Sequence, residues 1–258
     1  MKSFTAGPNE NGVRLSRFVE GVTKDMPRSM MYKAFRNKRI KVNGKRAEPD
    51  TRLQTGDLIE MYINDEFFQP VKEEEAFRRI TPRLHILYED DHILLCDKRP
   101  GMVVHEDDQG TLDTLINHIK AYLYEKGEWD PDKEQSFTPA LCNRIDRNTG
   151  GIVIAAKNAE TLRIINEKIR AHELEKSYLC ITVGRPKQPE GKIEGFLLKN
   201  EAKKEVRFFH KPVPGGKTAG TLYRTLESRG GLSLVECRLL TGRTHQIRVS
   251  MAEIGCPL

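Results

Sequence analysis

Residues Asn143 to Asn158 read NRIDRNTGGIVIAAKN. The first part is polar, with one carboxylate, Asp146, set between Arg144 and Arg147. Turn formers follow, Asn148, Thr149, Gly150 and Gly151, then the apolar run IVIAAK, whose length and β-branched content read as a buried strand. A lone carboxylate at the mouth of a strand is either a structural ion pair or a reactive group. The rest of the chain has to decide between them.

Outward from this stretch the pattern alternates between strand-like and helix-like segments. Downstream, AETLRIINEKIRAHEL reads as a helix, KSYLCITVG and GLSLVECRLLTG as strands, and THQIRVSMAEIG as a helix. Upstream, LHILYEDDHILLCDK gives two strands around an acidic turn, and RPGMVVHEDDQG gives a loop. TLDTLINHIKAYLYEKG is amphipathic, with Leu112, Leu115, Ile116, Ile119 and Leu123 on one face. Strands mixed irregularly with helices predict an α+β fold. The chain contains no internal repeat and no low-complexity segment.

The N-terminal part is different in kind. RLSRFVEGVTKDM carries Leu15, Phe18, Val19 and Val22 at helical spacing, and SMMYKAFRNK predicts a second helix. RIKVNGKRAE predicts a hairpin turning at Asn43-Gly44, and GDLIEMYI a further strand. Between Asn11 and Arg46 stand eleven basic residues (Arg14, Arg17, Lys24, Arg28, Lys33, Arg36, Lys38, Arg39, Lys41, Lys45, Arg46) against two acids, Glu20 and Asp25. Residues 64–82, NDEFFQPVKEEEAFRRITP, are charged, hold no sustained period and contain two prolines, and so predict a linker. The expected organisation is a basic module at 1–63, a linker at 64–82 and a large domain at 83–258.

Composition narrows the class. The 258 residues are 38% hydrophobic and 31% charged, as in a globular protein with a sizeable core. No apolar stretch reaches membrane-spanning length, and MKSFTAGPNE lacks the apolar core of a signal peptide, so a cytoplasmic protein without membrane contact is expected. The five cysteines are scattered and form no CxxC pair, which reads as small buried hydrophobes. The seven histidines show no metal-ligand spacing, so no metal site is predicted. The net charge of +6, concentrated near the N-terminus, points to an anionic partner.

Two resemblances give these segments a function. RLSRFV, RSMMYKAFRNKRIKVNG and TGDLIEMY resemble an S4 RNA-binding domain, in which two helices packed on a short sheet present basic side chains to RNA. The RNA-contacting candidates there are Arg14, Arg17, Arg28, Lys33, Arg36, Lys38, Arg39 and Lys41. The larger part resembles the RluA-type family of pseudouridine synthases. Four motifs carry this in order: YEDDHILLCDKRPGMVVH, NRIDRNTGGIVIAAKN, KSYLCITVG and LLTGRTHQIRVSMAEIGCPL. It implies a mixed, mainly antiparallel catalytic domain that isomerises uridine in RNA, most naturally large-subunit ribosomal RNA, without a cofactor; a monomer is expected.

The resemblance assigns Asp146 the catalytic role, as nucleophile or as base, with both routes open. It places Tyr178 against the uracil and Arg243 beside Asp146, and gives Ile247 an apolar contact with the base. Arg144 and Arg147 become orienting and RNA-contacting residues, and His245 and Gln246 structural or RNA-facing ones. Three departures stand out. Asn143 replaces the family's usual histidine, Pro100 comes one place late in the KRPG loop, and the resemblance implies a G-D-x-x-Y-G continuation beyond Leu258. Asn143 and the short end favour a non-catalytic RNA-binding factor; Asp146, Tyr178 and Arg243 favour the enzyme. The same chemistry on transfer RNA is a third reading.

Overall fold

In the computed structural model the described residues are all except 24–25, 69–75, 106–109, 201–202 and 204. Lys24 and Asp25 of the basic stretch, the centre of the expected linker and part of the RPGMVVHEDDQG loop therefore lie outside them. The chain divides into two compact units, Met1–Asn166 and Glu167–Leu258.

The first unit begins with β1 (Lys2–Thr5), α1 (Leu15–Val22), α2 (Arg28–Arg36), β2 (Ile40–Val42), β3 (Lys45–Arg46) and β4 (Leu58–Met61). These strands form an antiparallel sheet in the order β1-β4-β2-β3. Asn43 and Gly44 both have positive φ, 52° and 74°, which is the turn that matches the twist of a two-residue hairpin. The core is Leu15, Phe18 and Val19 of α1, Met31 and Phe35 of α2, and Ile40, Ile59 and Met61 of the sheet. Short β1, four half-polar residues with no sequence signal, is recruited by pairing with β4 from Lys2↔Met61 to Thr5↔Leu58.

The unit continues with 3₁₀ turns at Asp65–Phe68 and Ala76–Arg79. Then come β5 (Ile86–Glu89), β6 (Ile93–Lys98), α3 (Leu115–Glu125), β7 (Ala140–Leu141) and β8 (Gly151–Ala156). They build a second antiparallel sheet, β5-β6-β8-β7. Alternate residues of the central pair, Leu94, Cys96, Val153 and Ala155, are fully buried against Leu115, Ile119 and Leu123 of α3. The helix starts later than the hydrophobic spacing suggests. Thr114 is its N-cap, so Leu112 precedes it and is 51% exposed instead of lying on the buried face.

α4 (Ala159–Arg170) spans the division between the units. The second unit holds β9 (Lys176–Val183), β10 (Glu190–Asn200), β11 (Glu205–Phe209), β12 (Lys217–Arg229), β13 (Leu232–Leu239) and α5 (Gln246–Glu253). Its five strands form one antiparallel sheet in the order β11-β10-β12-β13-β9. The sequence reading foresaw β9 and β13 but passed over β10, β11 and β12, whose charged and glycine-containing pattern hides them. Gly195 shows why glycine is there: a Cβ would lie 2.4 Å from Cζ of Phe208 and 2.7 Å from the Phe209 carbonyl. Val235, Cys237, Met251 and Cys256 make the core of this unit. All five cysteines are free thiols, with Cys96, Cys237 and Cys256 buried and Cys142 and Cys180 half-buried. Among the described residues no helix is long and apolar enough to cross a membrane, and no cluster of metal-ligating side chains occurs.

Candidate active site and RNA interface

The Asp146 loop connects β7 to β8 and is held from three sides. The Asn143 side chain grips β8: its Nδ2 donates to the Ile152 carbonyl at 3.1 Å, and its Oδ1 accepts from the Ile154 amide at 2.8 Å. Together with the Cys142 amide, which donates to the Ile154 carbonyl, this extends the β-ladder into the loop. An amide can serve both ends of such a bridge without changing charge. The turn itself is closed by the Thr149 amide, which donates to the Asp146 carbonyl at 3.0 Å.

The third support comes from the end of β6. Lys98 is 1% exposed, and its Nζ donates to the carbonyls of Arg99 at 3.1 Å, Met102 at 2.9 Å and Arg147 at 2.9 Å. One buried ammonium thus ties the KRPG loop to the Asp146 loop. The Gly101 amide adds a second bond to the Arg147 carbonyl at 2.8 Å. Pro100, displaced by one place in the motif, packs against Gly150, where a Cβ would come within 3.2 Å of its ring. Burial pushes the Lys98 ammonium below the ordinary lysine value, while the negative charge of Asp146 pulls it back up. Sequence reasoning missed Lys98; its signal was a lysine at the last, inward-facing place of an apolar strand.

Ile145 points into the core beneath the loop, while Arg144, Asp146 and Arg147 are exposed. The alternation places three polar groups on the surface over one apolar anchor. An exposed carboxylate on a turn fixed by side-chain and backbone hydrogen bonds can act as nucleophile or base without reorganising.

In the second unit, Tyr178 lies on β9 opposite Cys237 of β13 and is half-buried. Arg243 precedes α5, and its Nε donates to the Thr218 carbonyl at 3.0 Å. Gln246 is buried at 2% exposure and satisfied at both ends. Its Nε2 donates to the Gly220 carbonyl and to Thr221 Oγ1, and its Oε1 accepts from Thr241 Oγ1 and the Arg243 amide. Of the two roles open to it from sequence, the structural one is what the geometry displays: it holds the turn that carries Arg243. His245 caps α5 with φ 54°. Ile247 is half-buried and packs against the core around Val235 and Met251. Asp146, Arg144 and Arg147 belong to the first unit, and Tyr178, Arg243 and Ile247 to the second.

The basic residues of the N-terminal module are on the surface. Arg14, Arg17, Arg28, Lys33, Arg36, Lys38 and Arg39 are exposed, and Lys41 is half-buried with its Nζ 5.2 Å from the Tyr62 ring centre. Arg14 pairs with Asp50, and Arg17 and Arg28 both pair with Glu20. Among the described residues, Lys33, Arg36, Lys38 and Arg39 make no ion pair. They concentrate the available charge at the C-terminal end of α2 and the entry to β2. A depression of about 180 Å³ beside them is lined by Lys33, Asn37 and Arg39 together with apolar Met30, Ile63 and Phe67.

Residues 92–253 match the family described as RNA pseudouridylate synthase. The chain is 30% identical over 270 residues to ribosomal large subunit pseudouridine synthase C of Salmonella typhi, covering 100% of this chain and 78% of that protein. It is 31% identical over 262 residues to the protein of the same name from Escherichia coli (strain K12), covering 97% and 75%. Human RNA Pseudouridylate Synthase Domain Containing 4 shares the fold with a TM-score of 0.54 at 22% identity, over 67% of this chain and 65% of that one. The chain belongs to the RNA pseudouridylate synthase family.

Proposed function

We propose that the protein converts specific uridines of large-subunit ribosomal RNA to pseudouridine in the cytoplasm, with Asp146 as the catalytic group and no cofactor. The N1–C1′ bond of the uridine breaks, the uracil turns, and a C5–C1′ bond forms while the C5 hydrogen leaves as a proton and N1 takes a proton up. No oxidant or water is consumed. The observation that carries the reading is the Asp146 turn: an exposed carboxylate fixed by Asn143 and Lys98, inside the stretch matched to the family. The ribosomal target follows the names of the relatives. Tyr178, Arg243 and Ile247 are proposed to serve the flipped base, and Arg144 and Arg147 the RNA backbone. Residues 1–63 are proposed to act as an S4-type RNA-binding module, and the protein to work as a monomer.

The test uses ribosomal RNA transcripts tritiated at uracil C5. The chain is expected to release tritium, and Asp146→Asn to lower the release by roughly 10³-fold, the scale of a lost acid–base or nucleophilic group, with RNA affinity kept within a few-fold. Undiminished release from Asp146→Asn would overturn the assignment.

A further inference from the structure

Within the first unit, the N-terminal module is fastened to the β5–β8 part by a polar seam. Asn9 reaches across with both ends of its amide. Its Oδ1 accepts from the Ala159 amide at the start of α4 at 3.1 Å, and its Nδ2 donates to Glu134 Oε2 at 3.0 Å. Glu10 is 2% exposed and takes one bond from its own side and one from the other: from the Gly7 amide at 2.9 Å and from Ser136 Oγ at 2.6 Å. Gln135 Nε2 donates to the Thr5 carbonyl at 2.7 Å. The backbones come close at one place: a Cβ on Gly21 would lie 3.2 Å from Cβ of Ser136. A buried carboxylate is tolerated only where its oxygens are bonded, so Glu10 strongly favours the fastened arrangement. Glu134 works the other way: burial, opposed by the Asn9 bond and joined by the charge of Glu10, raises its carboxyl above the usual value, so its ionised form weakens the seam that the Asn9 and Glu10 bonds hold.

A tethered RNA-binding module raises the local concentration of RNA but leaves the choice of uridine to the catalytic part. A fastened one adds a fixed distance. The loop of Asp146 and the exposed Lys33, Arg36, Lys38 and Arg39 belong to the same compact unit. We propose that Asn9, Glu10, Gln135 and Ser136 form a clasp that sets the basic face of α2 at a fixed distance from the Asp146 loop, so that the N-terminal module selects which uridine of a folded RNA is modified. The inference rests on the reading of that basic face as RNA-binding.

Three variants of the full chain test it on large-subunit ribosomal RNA, with modified positions mapped by primer extension after carbodiimide treatment. Ser136→Glu sets a second carboxylate against buried Glu10 and opens the clasp. Gly21→Cys with Ser136→Cys closes it covalently when oxidised, the Cβ atoms at 3.2 Å lying just short of the usual disulfide range of about 3.5–4.5 Å, so that a small outward shift accommodates the bond; the reduced form is its own control. Lys33→Glu with Arg36→Glu reports on the basic face. The opened variant is expected to modify its normal positions at least tenfold more slowly and to acquire new ones, with RNA affinity changed less than threefold. The oxidised lock is expected to keep the wild-type pattern. A wild-type pattern and rate from Ser136→Glu would reduce the clasp to a packing contact, and loss of the pattern on oxidation alone would mean that the module must undock. Unchanged RNA affinity and salt dependence in Lys33→Glu/Arg36→Glu would instead overturn the RNA-binding reading and the proposal with it, whatever the clasp variants do.

Discussion

The two ends of the β6–β8 ladder each bury a lysine, and they use it in opposite ways. At one end Lys98 stands opposite Gly151; at the other Ile93 pairs with Ala156, and Lys157 follows. Lys157, its side chain 8% exposed, contacts Glu89 at 3.1 Å, Glu128, and the Asp90 carbonyl at 2.7 Å. Lys126 pairs with the same two carboxylates, so two cations face two anions and the cluster is neutral. Lys98 has three backbone carbonyls as its hydrogen-bond partners. Dipoles satisfy its donors but leave its charge in place, and the anion whose field reaches it is Asp146. A balanced cluster closes a fold. A cation solvated by the carbonyls of two loops fixes those loops and keeps a positive charge within the field of Asp146, the proposed catalytic carboxylate.

The difference can be broken by making the same substitution at both ends. Lys157→Met leaves Glu89 and Glu128 sharing Lys126 alone at a half-buried site. Removing one partner from a buried ion cluster costs about 3 kcal/mol, to be read as a lower urea midpoint. Turnover per folded molecule should stay near wild type, because Lys157 follows the end of the β6–β8 ladder opposite to Lys98 and Gly151. Lys98→Met is expected to cost less stability, about 2 kcal/mol, since the Arg147 carbonyl keeps the Gly101 amide and burying a methionine relieves the cost of burying a charge. Its turnover should nevertheless fall more than tenfold in the tritium assay. Equal losses of turnover at the two ends would erase the distinction between a structural and a positioning lysine.

Asn143 offers a smaller version of the same test. Asn143→Ala removes both bonds to β8 and should cost about 1 kcal/mol, the net scale of neutral hydrogen bonds in partly solvated positions. Asn143→His, the residue usual in similar motifs, can replace one of the two bonds through its nearer ring nitrogen and should recover about half of that loss. A histidine variant with turnover well above wild type would show that the position wants a titratable group and not a bridge.

What the sequence made legible follows from local physics. The helices α1, α2 and α4 and the strands β6, β8, β9 and β13 announce themselves through uninterrupted periodicity, and the Asp146, KSY and GRTHQIR segments through residue order. The strands β10, β11 and β12 do not, because their faces mix lysine and glutamate with glycines required by neighbours such as Phe208. Lys98 and Gln246 look like ordinary polar residues in sequence. Their importance lies in carbonyls contributed by loops distant along the chain, Arg147 for the first and Gly220 for the second. The seam at Asn9 and Glu10 is equally silent, since its partners at 134–136 and 159 lie more than a hundred residues away.

The smallest expected effect separates the two lysines by pH. Burial raises the Glu89 carboxyl, but hydrogen bonds from Lys126, Tyr122 and Lys157 outweigh it and hold the folded value below that of an ordinary glutamate. Glu128 behaves alike, with burial overcome by Lys126 and Lys157. For a depressed carboxyl the stabilisation is complete above the unfolded value and is lost as pH falls through the folded one, because the unfolded chain takes up protons first. The carbonyl partners of Lys98 do not titrate. Stability of the wild type, followed by urea unfolding from pH 6 down to pH 3, should therefore decline with a component that Lys157→Met reduces and Lys98→Met retains. An acid slope left unchanged by Lys157→Met would place that proton uptake in other carboxylates and remove the cluster's claim to be the charge-balanced end of the ladder.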